Sequence, residues 1–148
     1  MKTAIYPGSF NPWHAGHEDV LLKALEIFDQ VIIVSMINPD KKIPKRDVQL
    51  VGQPRKLKSG KIHSDIRHVV TQDKTLKRVV YKMKPAAIIR GLRNGNDLQY
   101  EQNQQYWNED VGIEVPFVYF IADRKLGHVS SSAIRAVNGL GLSHDYCK

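Results

Sequence analysis

Two histidines lie three positions apart in the segment GSFNPWHAGH, residues 8–17, which follows a short apolar stretch. Imidazole N–H groups at His14 and His17 could donate hydrogen bonds to the negative charge that grows on a phosphoryl group during its transfer. Gly16 would let the backbone approach a phosphate, and the start of a helix attracts anions. The same histidines could instead cap a helix or form half of a zinc site, although no further Cys or His has the spacing that zinc requires. The segment therefore favours phosphoryl chemistry over a metal site.

Two arginines, Arg90 and Arg93, stand in the segment RGLR directly after a predicted strand at residues 86–89. The guanidinium fork matches the oxygens of a phosphate, so both side chains could bind one at the end of the strand. They could equally form structural salt bridges with Asp97 or Glu101. Position in the sequence leaves both interpretations open.

Three serines, Ser130, Ser131 and Ser132, begin a predicted helix in the segment VSSSAIR. Serine is a preferred N-cap residue, which alone would explain one of them. The same geometry offers hydroxyls, backbone N–H groups and the positive end of the helix dipole to a triphosphate. Arg135, one turn further on, would add positive charge.

The elements that would position these residues alternate between strand and helix. An apolar stretch at residues 4–6 precedes the histidine segment, and apolar residues recur at helical spacing over residues 20–28. The β-branched run at 31–37 is typical of a strand buried on both faces. Strand, helix and strand in this order predict a βαβ unit with a parallel sheet.

The rest of the chain continues the alternation, and we predict an α/β fold with a single Rossmann-like, doubly wound domain over residues 1–148 and a parallel five-stranded sheet. Residues 38–64, which are rich in Pro and Gly, are predicted to be a basic loop with at most one short helix. The remaining predicted elements are strands at 66–71, 86–89 and 115–122, and helices at 73–84, 97–109 and 131–138.

Composition limits the class of protein. The 148 residues are 42% hydrophobic and 25% charged, as in globular proteins, and no apolar run approaches the length of a membrane span. The single cysteine, Cys147, excludes an intramolecular disulfide and fits a reducing, cytoplasmic location. Residues 41–84 hold 14 Lys and Arg against 3 Asp and Glu, so the net charge of +7 is concentrated there and predicts an anionic partner or a solvated basic surface.

The three segments together, in this order and spacing, resemble the HxGH nucleotidyltransferase superfamily. Within it, RGLR followed by Asp97, Tyr100, Glu101 and Asn108 resembles the phosphopantetheine adenylyltransferase family. The resemblance implies transfer of AMP from ATP to 4′-phosphopantetheine, which gives dephospho-coenzyme A and pyrophosphate in coenzyme A biosynthesis. It also implies Mg²⁺ bound mainly by ATP oxygens, and a homo-oligomer, a hexamer. The polar helix at 97–109, with Tyr106 and Trp107, is a candidate interface. No membrane is expected.

The resemblance also implies residue roles. Ser9 and His17 would contact the reacting phosphates, Lys41 would hold the acceptor phosphate, and these three form the expected catalytic set. Arg93 and the three serines would hold the β- and γ-phosphates, while Glu101 would lie near the acceptor or the nucleotide. The full expected binding set is Gly8, Ser9, Phe10, His14, His17, Lys41, Leu76, Arg90, Gly91, Arg93, Glu101, Ser130, Ser131, Ser132 and Arg135.

The sequence departs from that family at several positions. Ser9 and His14 stand where the family usually has Thr, and the segment after Lys41 is basic where the family has an acidic helix. Two alternatives follow. The same chemistry could act on another acceptor, such as nicotinamide mononucleotide or a polyol or sugar phosphate. Alternatively, the chain could be a basic nucleotide- or nucleic-acid-binding protein, although residues 41–84 contain one aromatic residue, Tyr81, and so lack a surface on which bases could stack.

Overall fold

A five-stranded parallel sheet forms the centre of the protein, described here from a computed structural model that covers residues 1–10, 12–36, 53–72 and 75–147. A short 3₁₀ helix, Arg124–Leu126, precedes the last α-helix. In chain order the other elements are β1 (Thr3–Gly8), α1 (Ala15–Leu25), β2 (Gln30–Met36), β3 (Arg55–Lys56), β4 (Ile62–His63), β5 (Ile66–Thr71), α2 (Leu76–Met83), β6 (Ala87–Leu92), α3 (Gly95–Asp110), β7 (Phe117–Ile121) and α4 (Ser131–Gly139).

The strand order is β5-β2-β1-β6-β7, so β1 is the central strand and the chain reverses direction across the sheet beside it. Ile5 of β1 pairs in register with Ile32 of β2 and with Ile88 of β6. In an open α/β sheet, a ligand binds at the carboxyl ends of the strands next to such a reversal. The predicted doubly wound α/β fold with five parallel strands is confirmed.

Apolar side chains fill both faces of the sheet. On one face Leu21 and Leu25 of α1 pack against Ile33 and are almost fully buried. On the other face Val79 of α2 packs against Ile88. Burial of each large aliphatic side chain contributes about 1.5–3 kcal/mol, so α1 is held firmly against the sheet and its first residues have a fixed position above β1 and β6.

Strand β6 is longer than the sequence predicts. It continues to Leu92, which pairs with Ile121 of β7, whereas the prediction ended it at residue 89. Arg90 and Gly91 therefore lie within the strand rather than after it, and the first residue beyond the strand is Arg93. The polar side chain of Arg90 interrupts the apolar pattern and so hides the extension in the sequence. Pairing with β7 satisfies the backbone hydrogen-bonding groups of β6 whatever side chain the strand carries.

The segment at 38–64 was predicted to be a loop with at most one short helix, and its described part, from residue 53, contains a hairpin instead. Strands β3 and β4 pair antiparallel through Arg55↔His63 and Lys56↔Ile62. The turn between them uses Gly60 at φ +86°, a conformation that favours glycine, and Leu57 is buried in the core of the α1 face. The burial of Leu57 stabilises a hairpin whose strands are too short to leave a period in the sequence.

Among the described residues, no helix is both long enough and apolar enough to cross a lipid bilayer.

The contact between α1 and β6 predicts the effect of a substitution at Gly91. A Cβ atom there would lie 2.7 Å from Val20 Cγ2, whereas a Cβ at Gly95, at the start of α3, would meet nothing within 4 Å. We expect Gly91→Ala to lower the free energy of unfolding by about 1–3 kcal/mol. Gly95→Ala should change it by less than about 1 kcal/mol in either direction.

Urea denaturation of both variants measures these effects. Adding Val20→Ala to Gly91→Ala should recover part of the loss, because it removes the methyl group in the way. Equal stabilities of the two single variants would contradict the close approach of α1 to β6.

Candidate active site

A cavity of about 320 Å³ opens at the carboxyl ends of β1 and β6 and is called the histidine cavity here. The start of α1, the end of β6 and the start of α4 meet around it, so the three sequence segments with predicted chemistry converge. The expected site residues that line it are Gly8, Ser9, Phe10, His14, His17, Arg90, Gly91, Arg93, Glu101, Ser130 and Ser131.

The two histidines close the first turn of α1 as a reciprocal cap. His14 is the N-cap residue, and its Nδ1 accepts a hydrogen bond from the Gly16 N–H at 3.0 Å. His17 Nδ1 accepts from the backbone N–H of His14 at 3.2 Å. A ring nitrogen that accepts a hydrogen bond carries no proton, so these contacts assign the neutral Nε2–H tautomer to both rings. Each imidazole thus satisfies a backbone donor and keeps an Nε2–H group.

The surroundings also favour the neutral form of both rings. Burial lowers the pKa of His14 to about 4, with a further contribution from the charge of Arg93. Burial likewise lowers the pKa of His17 far below its usual value, assisted by His14, Arg90 and Arg93. The two rings stack with their centroids 3.7 Å apart, a distance at which two imidazolium charges would repel strongly. The histidine cavity therefore contains two neutral N–H donors at neutral pH.

Gly16 is required by the packing of His14. A Cβ atom at position 16 would lie 2.9 Å from His14 Cε1 and 3.0 Å from its Nδ1. Any side chain there would push the ring away from the N–H that it caps. The glycine between the histidines thus makes room for an imidazole cap, a more specific reason than the close approach of a phosphate.

Phe10, which lines the histidine cavity, has a rare backbone conformation, with φ 47°. Its buried ring contacts the ring of His17 edge-on, with centroids 4.9 Å apart, and also packs against Tyr6 and Trp13. A non-glycine residue in this region costs about 1–3 kcal/mol unless its surroundings hold it there. The aromatic cluster fixes both the loop and the plane of His17.

Arg90 is braced from two sides. Its Nε and Nη2 donate to the carboxylate of Glu101, and its Nη1 donates to the carbonyl of Pro7 at 2.6 Å. Burial alone would lower the pKa of Arg90, but the hydrogen bonds and charge of Glu101 raise it above its usual value. Arg90 thereby joins β6, α3 and the end of β1, so the salt bridge that the sequence left open is present.

Arg93 forms the second of the possible salt bridges. Its Nε and Nη2 donate to the two oxygens of Asp97 at 2.8 and 2.9 Å, and its backbone N–H donates to the same carboxylate. The hydrogen bonds from Arg93 lower the pKa of the Asp97 carboxyl. A guanidinium has five N–H donors, so this pair still leaves donors on Arg93 that can reach an anion in the cavity.

The serines divide into two groups. Ser130 is the N-cap of α4 and accepts from the Ala133 N–H, while Ser131 Oγ donates to the Pro12 carbonyl at 3.2 Å and so ties α4 to the histidine loop. Both line the histidine cavity. Ser132 and Arg135 are exposed on α4 and do not belong to the lining.

A second cavity of about 440 Å³, called the side cavity here, adjoins the first. Five residues line both: Pro7, Gly8, Arg90, Tyr100 and Glu101. Leu76, the remaining expected site residue of the described part, lies in this side cavity and not with the histidines. The rest of its lining is Met36, Thr75, Lys77, Gln104, Trp107, Asn108, Val111 and Phe117.

The sequence analysis missed several residues that line the cavity, and one of the site residues that it predicted is not among the described residues. Lys41 lies outside the described residues. Tyr6, Ala122, Leu126 and Val129 line the histidine cavity without having been predicted. Tyr6 and Ala122 stand near or just after the carboxyl ends of β1 and β7, so the rule for parallel sheets could have found them.

The two neutral histidines predict a pH dependence of stability. The unfolded chain binds protons near the ordinary histidine pKa of 6.5, whereas folded His14 does so only near pH 4. Because the unfolded state then binds more protons, the free energy of unfolding should fall as the pH is lowered from 6.5 and stay level above it. His14→Thr keeps an N-cap acceptor but removes this titration, so its stability should fall less steeply.

Urea denaturation at pH 7.5, 6.0 and 5.0 measures the free energy of unfolding of the wild type and of His14→Thr. The carboxylates titrate in both proteins, so their contribution cancels in the difference between the two free energies. Parallel pH profiles for the wild type and His14→Thr would contradict a neutral, buried His14.

Comparison with known proteins agrees with this geometry. The cytidylyltransferase-like family matches residues 5–137. A phosphopantetheine adenylyltransferase of Mycoplasma capricolum subsp. capricolum is 33% identical over 138 residues, which cover 93% of this chain and 96% of the relative. Another, of Clostridium novyi, is 34% identical over 143 residues and covers 93% and 83%. A solved Vibrio parahaemolyticus structure, assigned as a nicotinate-nucleotide adenylyltransferase, has the same fold, with TM-score 0.59, 22% identity and coverage of 100% and 94%. The chain belongs to the cytidylyltransferase-like family of nucleotidyltransferases and, within it, to the phosphopantetheine adenylyltransferase family.

Proposed function

We propose that this chain transfers AMP from ATP to 4′-phosphopantetheine and releases dephospho-coenzyme A and pyrophosphate. The observation that carries the proposal is the meeting of two imidazole N–H donors, an arginine and a capped helix start around one cavity. These groups are all donors or cations, which suits a polyphosphate. The adjoining side cavity would give the acceptor a place of its own beside the nucleotide.

In the proposed reaction, an oxygen of the acceptor phosphate forms a bond to the α-phosphorus of ATP as the bond to the bridging oxygen of pyrophosphate breaks. No covalent enzyme intermediate is needed, so catalysis rests on position and charge stabilisation. The Nε2–H of His17, together with His14 and Ser9, would donate to the oxygens around the reacting phosphorus. Arg93 and Ser130 would hold the departing phosphates, and Lys41 is proposed to hold the acceptor phosphate.

Arg90 would act mainly through position. Its bonds to Glu101 and to the Pro7 carbonyl hold the wall between the two cavities, where donor and acceptor phosphates would meet. The guanidinium donors that these bonds leave over could contact the acceptor phosphate.

The side cavity would hold the pantetheine arm. Leu76, Val111 and Phe117 offer an apolar wall for the pantetheine methyl groups, and Gln104 and Asn108 offer amide groups to its two peptide-like bonds.

Mg²⁺ is proposed to enter with ATP. Within residues 1–10, 12–36, 53–72 and 75–147, no three His, Cys, Asp or Glu side chains are grouped to hold a metal ion. ATP oxygens and water would then supply the ligands, as Mg²⁺ commonly accepts. When bound, the ion would neutralise charge on the phosphates.

We also propose that the protein acts in the cytoplasm as a homo-oligomer built from one nucleotidyltransferase domain. Tyr106 and Trp107 of α3 are exposed and offer an aromatic surface to another subunit. Nucleic acid is not proposed as a partner. The described basic hairpin already uses part of its polar surface within the chain, since Arg55 pairs with Glu18 and the Ser59 N–H donates to Glu26.

The experiment that tests the function measures pyrophosphate release and product formation with ATP and Mg²⁺. Separate reactions contain 4′-phosphopantetheine, nicotinamide mononucleotide, or glycerol 3-phosphate with CTP in place of ATP. Dephospho-coenzyme A is expected in the first reaction only. Pyrophosphate release only with another acceptor would refute 4′-phosphopantetheine as the acceptor but would support nucleotidyl transfer. If no reaction released pyrophosphate, both the acceptor and the nucleotidyl transfer would be refuted.

His17→Ala is expected to lower kcat by about 100-fold to 1,000-fold, because it removes a donor aimed at charge that develops during the reaction. His17→Gln, whose amide nitrogen can reach the position of Nε2, should recover part of the loss. Circular dichroism and thermal unfolding show whether each variant is folded. A folded His17→Ala enzyme with near-normal turnover would contradict the role of His17.

Arg93→Ala is expected to raise the KM for ATP by roughly 10-fold to 100-fold, the scale of hydrogen bonds to charged groups. The KM for the acceptor should change little, since Arg93 lies outside the side cavity. Arg67→Ala is the matched control, because Arg67 is exposed on β5 at the edge of the sheet. Equal ATP constants for the two variants would contradict a contact between Arg93 and the triphosphate.

A further inference from the structure

Tyr146 contacts both of the segments that would handle the phosphates. Its carbonyl accepts a hydrogen bond from the backbone N–H of Ala15 at 2.6 Å. Its hydroxyl bonds with Nε2 of His128 at 2.9 Å, and the two rings pack edge-on with centroids 5.4 Å apart. One residue near the C-terminal end of the sequence thus connects the histidine helix with the loop that leads to the serines.

The bond to Ala15 occupies a backbone donor in the first turn of α1. The first N–H groups of a helix have no partner within the helix. Here the His14 N–H donates to the His17 ring, that of Ala15 to the Tyr146 carbonyl and that of Gly16 to the His14 ring. Since Ala15 stands between the two histidines, the Tyr146 carbonyl fixes the backbone from which both imidazoles project.

The bond to His128 acts on the other wall of the cavity. His128 lies two residues before Ser130, the N-cap of α4, and Val129 between them is buried and lines the histidine cavity. Tyr146 is itself held, because its backbone N–H donates to His144 Nδ1, and His144 Nε2 bonds with Asn138 of α4. The segment 144–146 therefore spans from α4 to the start of α1.

We propose that Tyr146 is a positioning residue for the triphosphate: it holds the histidine turn and the serine turn at the separation that the β- and γ-phosphates need. The inference rests on the proposed function, since it concerns the same nucleotide. Tyr146 does not line the side cavity, so its effect should fall on ATP and not on the acceptor. If the contacts of Tyr146 were merely structural, their removal would lower the free energy of unfolding and would affect ATP and the acceptor equally.

Two variants each remove one of the contacts. Tyr146→Phe deletes the hydroxyl that bonds with His128. Ala15→Pro deletes the N–H that donates to the Tyr146 carbonyl, and proline suits this position because Ala15 is the first residue of α1 and His14 is extended, at φ −142° and ψ 177°. Tyr81→Phe is the matched control, since Tyr81 is 79% exposed on α2.

The experiment measures the dissociation constant for ATP with Mg²⁺ by calorimetry and the KM for each substrate by pyrophosphate release. We expect Tyr146→Phe and Ala15→Pro each to weaken ATP binding by about threefold to tenfold, the scale of one hydrogen bond. The KM for the acceptor and the binding of ATP to Tyr81→Phe should stay at wild-type values. His128→Leu should resemble Tyr146→Phe, and the double variant should be no weaker than either single one, because both remove the same bond.

Unchanged ATP binding in Tyr146→Phe and Ala15→Pro would overturn the inference while leaving the proposed function intact. So would equal losses for ATP and acceptor that accompany a lower melting temperature. A wild-type protein that does not bind ATP would refute the proposed function, and the inference with it.

Discussion

The arrangement of the site depends on two hydrogen bonds in the first turn of α1, in which backbone N–H groups donate to imidazole nitrogens. These bonds begin the helix and assign the proton of each ring to Nε2, and both histidines line the histidine cavity. They also require glycine at position 16 and the aromatic support of Phe10. The same two hydrogen bonds therefore begin the helix and hold the imidazoles in place.

The two arginines at the cavity are held by salt bridges. Arg90 and Arg93 are each paired with a carboxylate of α3, which satisfies their geometry before any ligand is present. A buried or half-buried guanidinium without such a partner would be costly. Because each fork keeps unused donors, a phosphate can add to these pairs without replacing them. The neutral imidazoles then supply hydrogen bonds without adding to the repulsion among the cations.

Local patterns predicted much of this, and the limits are physical. The β-branched run at 31–37 and the apolar face of α1 need no partner to be recognised, and the order of strands and helices predicts the parallel sheet. The end of β6 at Leu92 depends on pairing with the distant strand β7, which leaves no local period in the sequence. The hairpin at 55–63 pairs only two residues of each strand, too few for an alternating pattern to show. The meeting of the histidine and arginine segments followed from their positions at the carboxyl ends of predicted parallel strands. The serines join them through the start of α4, which no strand-end argument predicted. The salt-bridge partners of Arg90 and Arg93 could not be predicted, because Asp97 and Glu101 both lie close to the two arginines in the sequence.

The N-cap at position 14 bears on how such a site can change over evolutionary time. The cap needs only an acceptor for the Gly16 N–H, a need that Thr, Ser, Asn or Asp meets as readily as His. The residue there can therefore drift among these types while the helix keeps its first turn. Each exchange varies the number of donors offered to the substrate and the acidity at which the protein weakens. A position that looks like a fixed catalytic signature is thus a place where activity and pH tolerance can be adjusted by single, structurally silent steps.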